Sequence, residues 1–129
     1  MMKNLPFVID NLNGGFMKLE GILRMKGEKL FFEYKKKDAV LEAYQSDLLE
    51  DVIPLYELDM CEFKKGWFGG KLILHGKSAH TFKNLPGEDL TVRKLKVKRK
   101  HRNLAANISS KLNLMLSERK LSELNGDTE

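Results

Sequence analysis

The hydrophobic pattern of this chain changes period once, near Lys100, and that change constrains its fold more than any other feature. Before it, apolar residues recur at every second position. Leu30, Phe32 and Tyr34 alternate with Lys29, Phe31, Glu33 and Lys35, and Leu95 and Val97 alternate with Lys94, Lys96 and Lys98. A period of two sends successive side chains to opposite faces of a strand. After Lys100, Leu104, Ile108, Leu112 and Met115 fall at spacings of 4, 4 and 3, the stripe of an amphipathic helix, which Ala105 and Leu116 widen. The chain is therefore expected to be mainly β with one C-terminal α-helix, predicted over about Arg99 to Glu118. Its 129 residues suit a single domain that buries a core without staples. A hydrophobic content of 42%, a charged content of 32% and 3 prolines fit neither disorder nor a fibrous repeat.

Within the β region the expected elements follow from alternation and from turn residues. Leu5 to Ile9 carries Pro6 and runs into Asn11-Leu12-Asn13-Gly14-Gly15, so residues 1–15 read as a short lead-in. Phe16 to Lys26 and Glu28 to Lys36 form a hairpin about Gly27. A stretch through Val40, Ala43 and Tyr44 leads to a strand at Glu50 to Ile53, which Pro54 ends by withholding a donor. Leu58 to Phe63 and Lys71 to His75 form a second hairpin with Lys65-Gly66-Trp67-Phe68-Gly69-Gly70 at its tip. Ala79 to Phe82 and about Leu90 to Lys98 complete seven strands, with a parity break between Val92 and Leu95 that predicts a bulge. The tail from residue 120, ending Asn125-Gly126-Asp127-Thr128-Glu129, is expected to fray.

Charge is distributed unevenly. The formal net charge is +5, yet Leu90 to Ser117 holds eight basic residues and no acid, so the remainder of the chain sums to 5 − 8 = −3. Lys94, Lys96, Lys98, Lys100 and Arg102 make this stretch a candidate surface for phosphate-bearing partners. The alternative is a solvated strand face whose lysines discourage edge pairing. A second candidate is the aromatic pair Trp67 and Phe68 at a hairpin tip flanked by Lys64, Lys65 and Lys71, because tips are ordinarily polar. Aromatics there fold back on the core, meet a protein or a second copy, or enter a membrane surface.

Several features together resemble the bacterial pleckstrin-homology-like (PH-like) and GRAM-like domains. These are Glu20-Gly21-Ile22-Leu23 ahead of a hairpin, Val52-Ile53-Pro54-Leu55-Tyr56-Glu57-Leu58 before the fourth strand, and a last strand running directly into a helix. Asn11 to Phe16, Lys64 to Gly69 and Leu85-Pro86-Gly87 resemble landmarks of a poorly characterised family of that kind. The resemblance spans about residues 5 to 118 and implies a barrel of about seven antiparallel strands capped by the helix, one such domain over residues 1–129. It implies no activity. The dense basic pattern of phosphoinositide-binding PH domains is not matched, since the first hairpin offers only Lys18, Arg24, Lys26 and Lys29, interrupted by Glu20 and Glu28.

No catalytic or metal residues are assigned. His75 and His80 are expected to face each other across the Gly76-Lys77 turn as a cross-strand pair, and Cys61 is expected to be a small buried hydrophobe, with neither a CxxC partner nor a disulfide. No glycine pattern resembles a phosphate-binding loop. The leading expectation is a non-enzymatic, cofactor-free binding module that mediates protein contact or self-association, with the groove between a strand edge and the helix as one site for strand addition. The alternative is peripheral binding to anionic membranes through the basic strand and the aromatic tip. Nucleic acid is disfavoured, because no aromatic platform interleaves the basic strand. Met1-Met2-Lys3 leads into no signal-peptide core and no apolar run reaches membrane-spanning length, so the expected location is the cytoplasm, or the inner face of its membrane.

Overall fold

A computed structural model describes residues 4–40 and 45–126. Ala43 and Tyr44, and the tail from Asp127 to Glu129, lie outside the described residues. Seven strands, β1 (Leu5–Leu12), β2 (Met17–Lys26), β3 (Lys29–Asp38), β4 (Leu49–Pro54), β5 (Leu58–Lys65), β6 (Gly69–Gly76) and β7 (Val92–Lys98), precede one helix, α1 (Arg102–Leu124). All pairings are antiparallel, in the order β4-β3-β2-β1-β7-β6-β5. The mainly β class with a C-terminal helix is as expected. The sheet is not closed into a barrel, because β4 and β5 are its two edges. It has a seam as well: β1 and β7 meet at a single register pair, Val8 with Lys96.

The seven strands are not the seven expected. The stretch read as a lead-in is β1, an interior strand between β2 and β7, with Leu5, Phe7 and Ile9 buried and Pro6 and Val8 on the other face. Its ladder with β2 shifts between Ile9 and Leu12, where Asn11 adopts φ 57°, and the shift returns Leu12 to the core. Ala79 to Phe82 is a turn, not a strand. The β2–β3 hairpin reverses at Gly27, whose φ of 60° is left-handed backbone that glycine adopts without a steric cost.

The expected bulge in β7 is absent. Its register against β6 runs unbroken from Val92 with His75 to Lys98 with Gly69, and the inward position that breaks the apolar parity is filled by Arg93, 5% exposed. Burial lowers the pKa of its guanidinium, yet every donor direction is used. Nε and Nη2 donate to the Leu85 carbonyl at 3.0 and 2.8 Å, Nη2 also to Phe82 O at 3.2 Å, and Nη1 to Val92 O at 2.9 Å and to Asp89 O. The cation lies 5.1 Å from the Phe82 ring centroid. Arg93 thus ties down the 77–91 connection, which contributes Phe82 and Leu85 to the core. A bulge does occur in β5, between Leu58 and Met60, and it turns Cys61 inward while Met60 stays exposed.

α1 lies chiefly against β5 and extends beyond the expected end at Glu118 to Leu124, so the tail does not fray from residue 120. A 3₁₀ turn, Arg99–His101, joins it to β7. Ala105, Ile108, Leu112 and Leu116 are buried, with Leu104 and Met115 partly buried beside them. Between these apolar residues Asn113 meets the edge strand: the Cys61 N–H donates to its Oδ1 at 2.9 Å, and its Nδ2 donates to Cys61 O at 2.6 Å. One side-chain amide thus occupies both backbone groups of Cys61, as a neighbouring strand would. Lys120 donates to Asp59 O at 3.2 Å further along the same edge. In the groove beside the helix, expected as a site for strand addition, the helix's own side chains thus occupy the backbone groups of Cys61 and the Asp59 carbonyl.

Candidate functional site

The β5–β6 hairpin ends in a tight tip. Gly66 N–H donates to Gly69 O at 2.8 Å, leaving Trp67 and Phe68 at the corner. Neither glycine uses positive φ. What Gly69 supplies is close approach, since a side chain there would run into the Val97 carbonyl oxygen of the neighbouring strand. Arg102, in the first turn of α1, donates from Nη1 to Gly66 O at 2.9 Å and anchors the tip to the helix start. The aromatics do not fold back: Trp67 is 82% exposed and Phe68 85%.

The tip is continuous with the basic outer face. Lys94, Lys96 and Lys98 of β7 and Lys100 after it are exposed, as are Lys64 and Lys65 at the end of β5 and Lys71 at the start of β6. Register aligns three of them: Lys64 stands opposite Lys71, and Lys71 opposite Lys96, one row across β5, β6 and β7 on one face. Lys96 pairs with Asp10 of β1. Lys64 and Lys71 have no carboxylate partner among the described residues. A hollow of about 460 Å³ lies here, lined by the three lysines of the row together with Lys65, Phe68 and the tip glycines.

The nine sequence-predicted candidates lie at the end of β5, on the tip, on β7 or just after it, but with different standing. Trp67, Phe68, Lys64, Lys65 and Lys96 share the tip and the row, Lys98 stands opposite Gly69 and Lys100 follows it, Arg102 is spent on tethering, and Lys94 lies one step off the row opposite Ile73. Lys71, read from the sequence as a flank of the tip, joins the row as well. The signal that finds it is its equal distance with Lys64 from the hairpin tip, which makes them cross-strand neighbours.

The other titratable candidates carry no comparable arrangement. His75 does not face His80: its strand neighbours are Met60 and Val92, its Nε2 lies 2.7 Å from Glu62 Oε1, and His80 sits exposed in the 77–91 turn. Burial pushes the Cys61 thiol up to about 11, which keeps it protonated and poorly nucleophilic at neutral pH. Among the described residues no three His, Cys, Asp or Glu side chains gather as a metal site, and no helix is long and apolar enough to cross a membrane. Compared with protein-family models, curated proteins and solved structures, the chain has no match.

Proposed function

We propose that this chain is a non-enzymatic binding module of PH-like architecture that docks on anionic membrane surfaces through the β5–β6 tip and the basic outer face beside it. The carrying observation is the pair of tip aromatics, Trp67 and Phe68, both more than four-fifths exposed and surrounded by lysines. Leaving two large aromatic faces in water forgoes their burial. An amphipathic ring with a basic rim suits the headgroup layer, where tryptophan settles and each nearby lysine gains about 1 kcal/mol against an anionic leaflet. The PH-like architecture is supported by the strand order and the terminal helix, joined to the sequence landmarks above. Docking of this kind puts the protein at the inner face of the cytoplasmic membrane.

Contact with a protein, including a second copy of this chain, is the second reading, because exposed aromatics also serve as interface anchors. Its route by strand addition beside α1 loses support from Asn113, which already bonds both backbone groups of Cys61. The test is cosedimentation of the full chain with phosphatidylcholine vesicles, with and without phosphatidylserine, at low and near-physiological salt. Binding should require the anionic lipid and fall as salt rises, and Trp67→Ala should weaken it by roughly 10-fold with the melting temperature unchanged. Absence of binding to anionic vesicles, together with a dimeric mass that Trp67→Ala abolishes, would replace the membrane reading by the protein one.

A further inference from the structure

The outward side of α1 is unlike that of a solvated helix. Ala105, Ile108, Leu112 and Leu116 face the sheet, and on the opposite side a line runs from Asn107 through Ser110, Leu114, Ser117 and Leu121 to Leu124, at spacings of 3, 4, 3, 4 and 3. Such a repeat makes one seam along a helix. All six residues are exposed, none is charged, and each of the three leucines is more than half exposed. A single exposed leucine is ordinary on a surface. Three on one uncharged line form a patch whose burial is forgone.

The charges of α1 lie off this line. Arg102 donates to Gly66 O, Lys120 to Asp59 O, and Arg119 Nε stands 3.5 Å from Glu123 Oε1. Two charges are left over, Lys111 and Glu118. They stand seven residues apart on one flank of the line and have no ion pair among the described residues.

We propose that this face is a self-association surface that takes the same face of a second copy of the chain, with the two helices antiparallel about a two-fold axis. Antiparallel pairing sets Leu114 against the second copy's Ser117 and Leu121 against its Ser110, so that large meets small in each layer. In that same register Lys111 faces the second copy's Glu118, and the two-fold makes the pair twice. A parallel copy would bring neither Lys111 nor Glu118 to an opposite charge. The flanking pairs fix orientation more than affinity, since exposed ion pairs add little. This contact is separate from the β5–β6 tip and does not rest on the membrane reading.

The experiment is sedimentation equilibrium of the full chain without lipid, over a hundredfold range of concentration, with melting temperatures measured alongside. The parent should pass from monomer to dimer as concentration rises. Leu121→Lys should weaken the dimer at least about 10-fold, because the two-fold places the new charge in the seam twice. Lys111→Glu should weaken it about 5-fold, and combining it with Glu118→Lys should restore it. Melting temperatures should stay at the parent value throughout, because all three positions are exposed, and Trp67→Ala should leave the dimer intact. A monomeric mass across the whole range, a dimer indifferent to Leu121→Lys, or a double charge swap that fails to restore what Lys111→Glu removes would overturn the proposal. So would a monomeric parent whose binding to anionic vesicles is lost in Leu121→Lys, which would give the leucines to a lipid surface.

Discussion

The two halves of the outer sheet face are built from the same residue types and differ in how they compensate charge. Across β2 and β3, Lys18 and Lys37 stand opposite one another and both reach Glu20, and Arg24 pairs with Glu33. Across β5, β6 and β7, the strand ends nearest the tip hold Lys64, Lys71 and Lys96 in one row, with Asp10 as their only carboxylate partner among the described residues. The first half shows how this chain neutralises a solvated face. The second departs from that rule where two aromatics are also left in water, so the two anomalies, charge and apolar exposure, fall on one surface. The core does not demand either, since Trp67 and Phe68 contribute nothing to it.

The largest expected effect removes the support common to both halves. Ile108 is 7% exposed on the buried face of α1. Ile108→Asp should cost several kcal/mol by burying an unpaired charge, and should lower the melting temperature of the whole domain. A melting temperature within a degree or two of the parent would show that α1 is not core.

Reversing one charge in each half separates their roles. Lys71→Glu places an acid between Lys64 and Lys96, so stability should hold or rise by about 0.5 kcal/mol, while affinity for anionic vesicles falls roughly 10- to 30-fold. Lys35→Glu sets an acid directly opposite Glu20, so stability should fall by about 0.5 kcal/mol, with vesicle affinity changed less than twofold. Denaturant midpoints and vesicle titrations on both variants check the crossed pattern. Parallel effects in the two variants would mean that the halves do not differ in role.

A smaller effect concerns pH. The hydrogen bond from Lys37 holds the Glu20 carboxyl below its ordinary value of 4.5, against an opposing push from partial burial. A carboxylate whose folded pKa is depressed binds fewer protons folded than unfolded. Its contribution to stability is thus present above 4.5 and is lost as pH falls through the lower folded value. Glu20→Gln should therefore flatten the acid side of the stability profile below about pH 4.5, read from denaturant midpoints, and leave vesicle binding at neutral pH as it was. An unchanged acid slope would remove Glu20 from the account of the balanced half.

Much of this architecture is legible in the sequence, for physical reasons that also mark where legibility stops. The change of period at Lys100 reports α1 because burial of a helix stripe is a local pattern. Its continuation to Leu124 is not, because the last turns bury little and lean on contacts such as Lys120 with Asp59 O. β1 reads as a lead-in because Pro6 and the Asn-Gly run outweigh the short alternation of Leu5, Phe7 and Ile9. Arg93 reads as a break in parity because its inward position becomes tolerable only through carbonyls eight and eleven residues away, at Leu85 and Phe82. The site shows the same division. Trp67, Phe68 and the lysines stand out by type, whereas the row they form depends on the registers of two ladders, and the tethering of the tip by Arg102 depends on where α1 begins.

Entry of the β5–β6 tip into an anionic membrane surface is reported directly by Trp67, since it is the single tryptophan of the chain. Free in solution its 82% exposure should give emission typical of an indole in water. On titration with vesicles containing phosphatidylserine the emission should shift to the blue and become shielded from an aqueous quencher, with high salt reversing both changes. Emission that stays at its free-protein wavelength at a lipid excess that sediments the protein would contradict the account, because the protein would then bind without its tip.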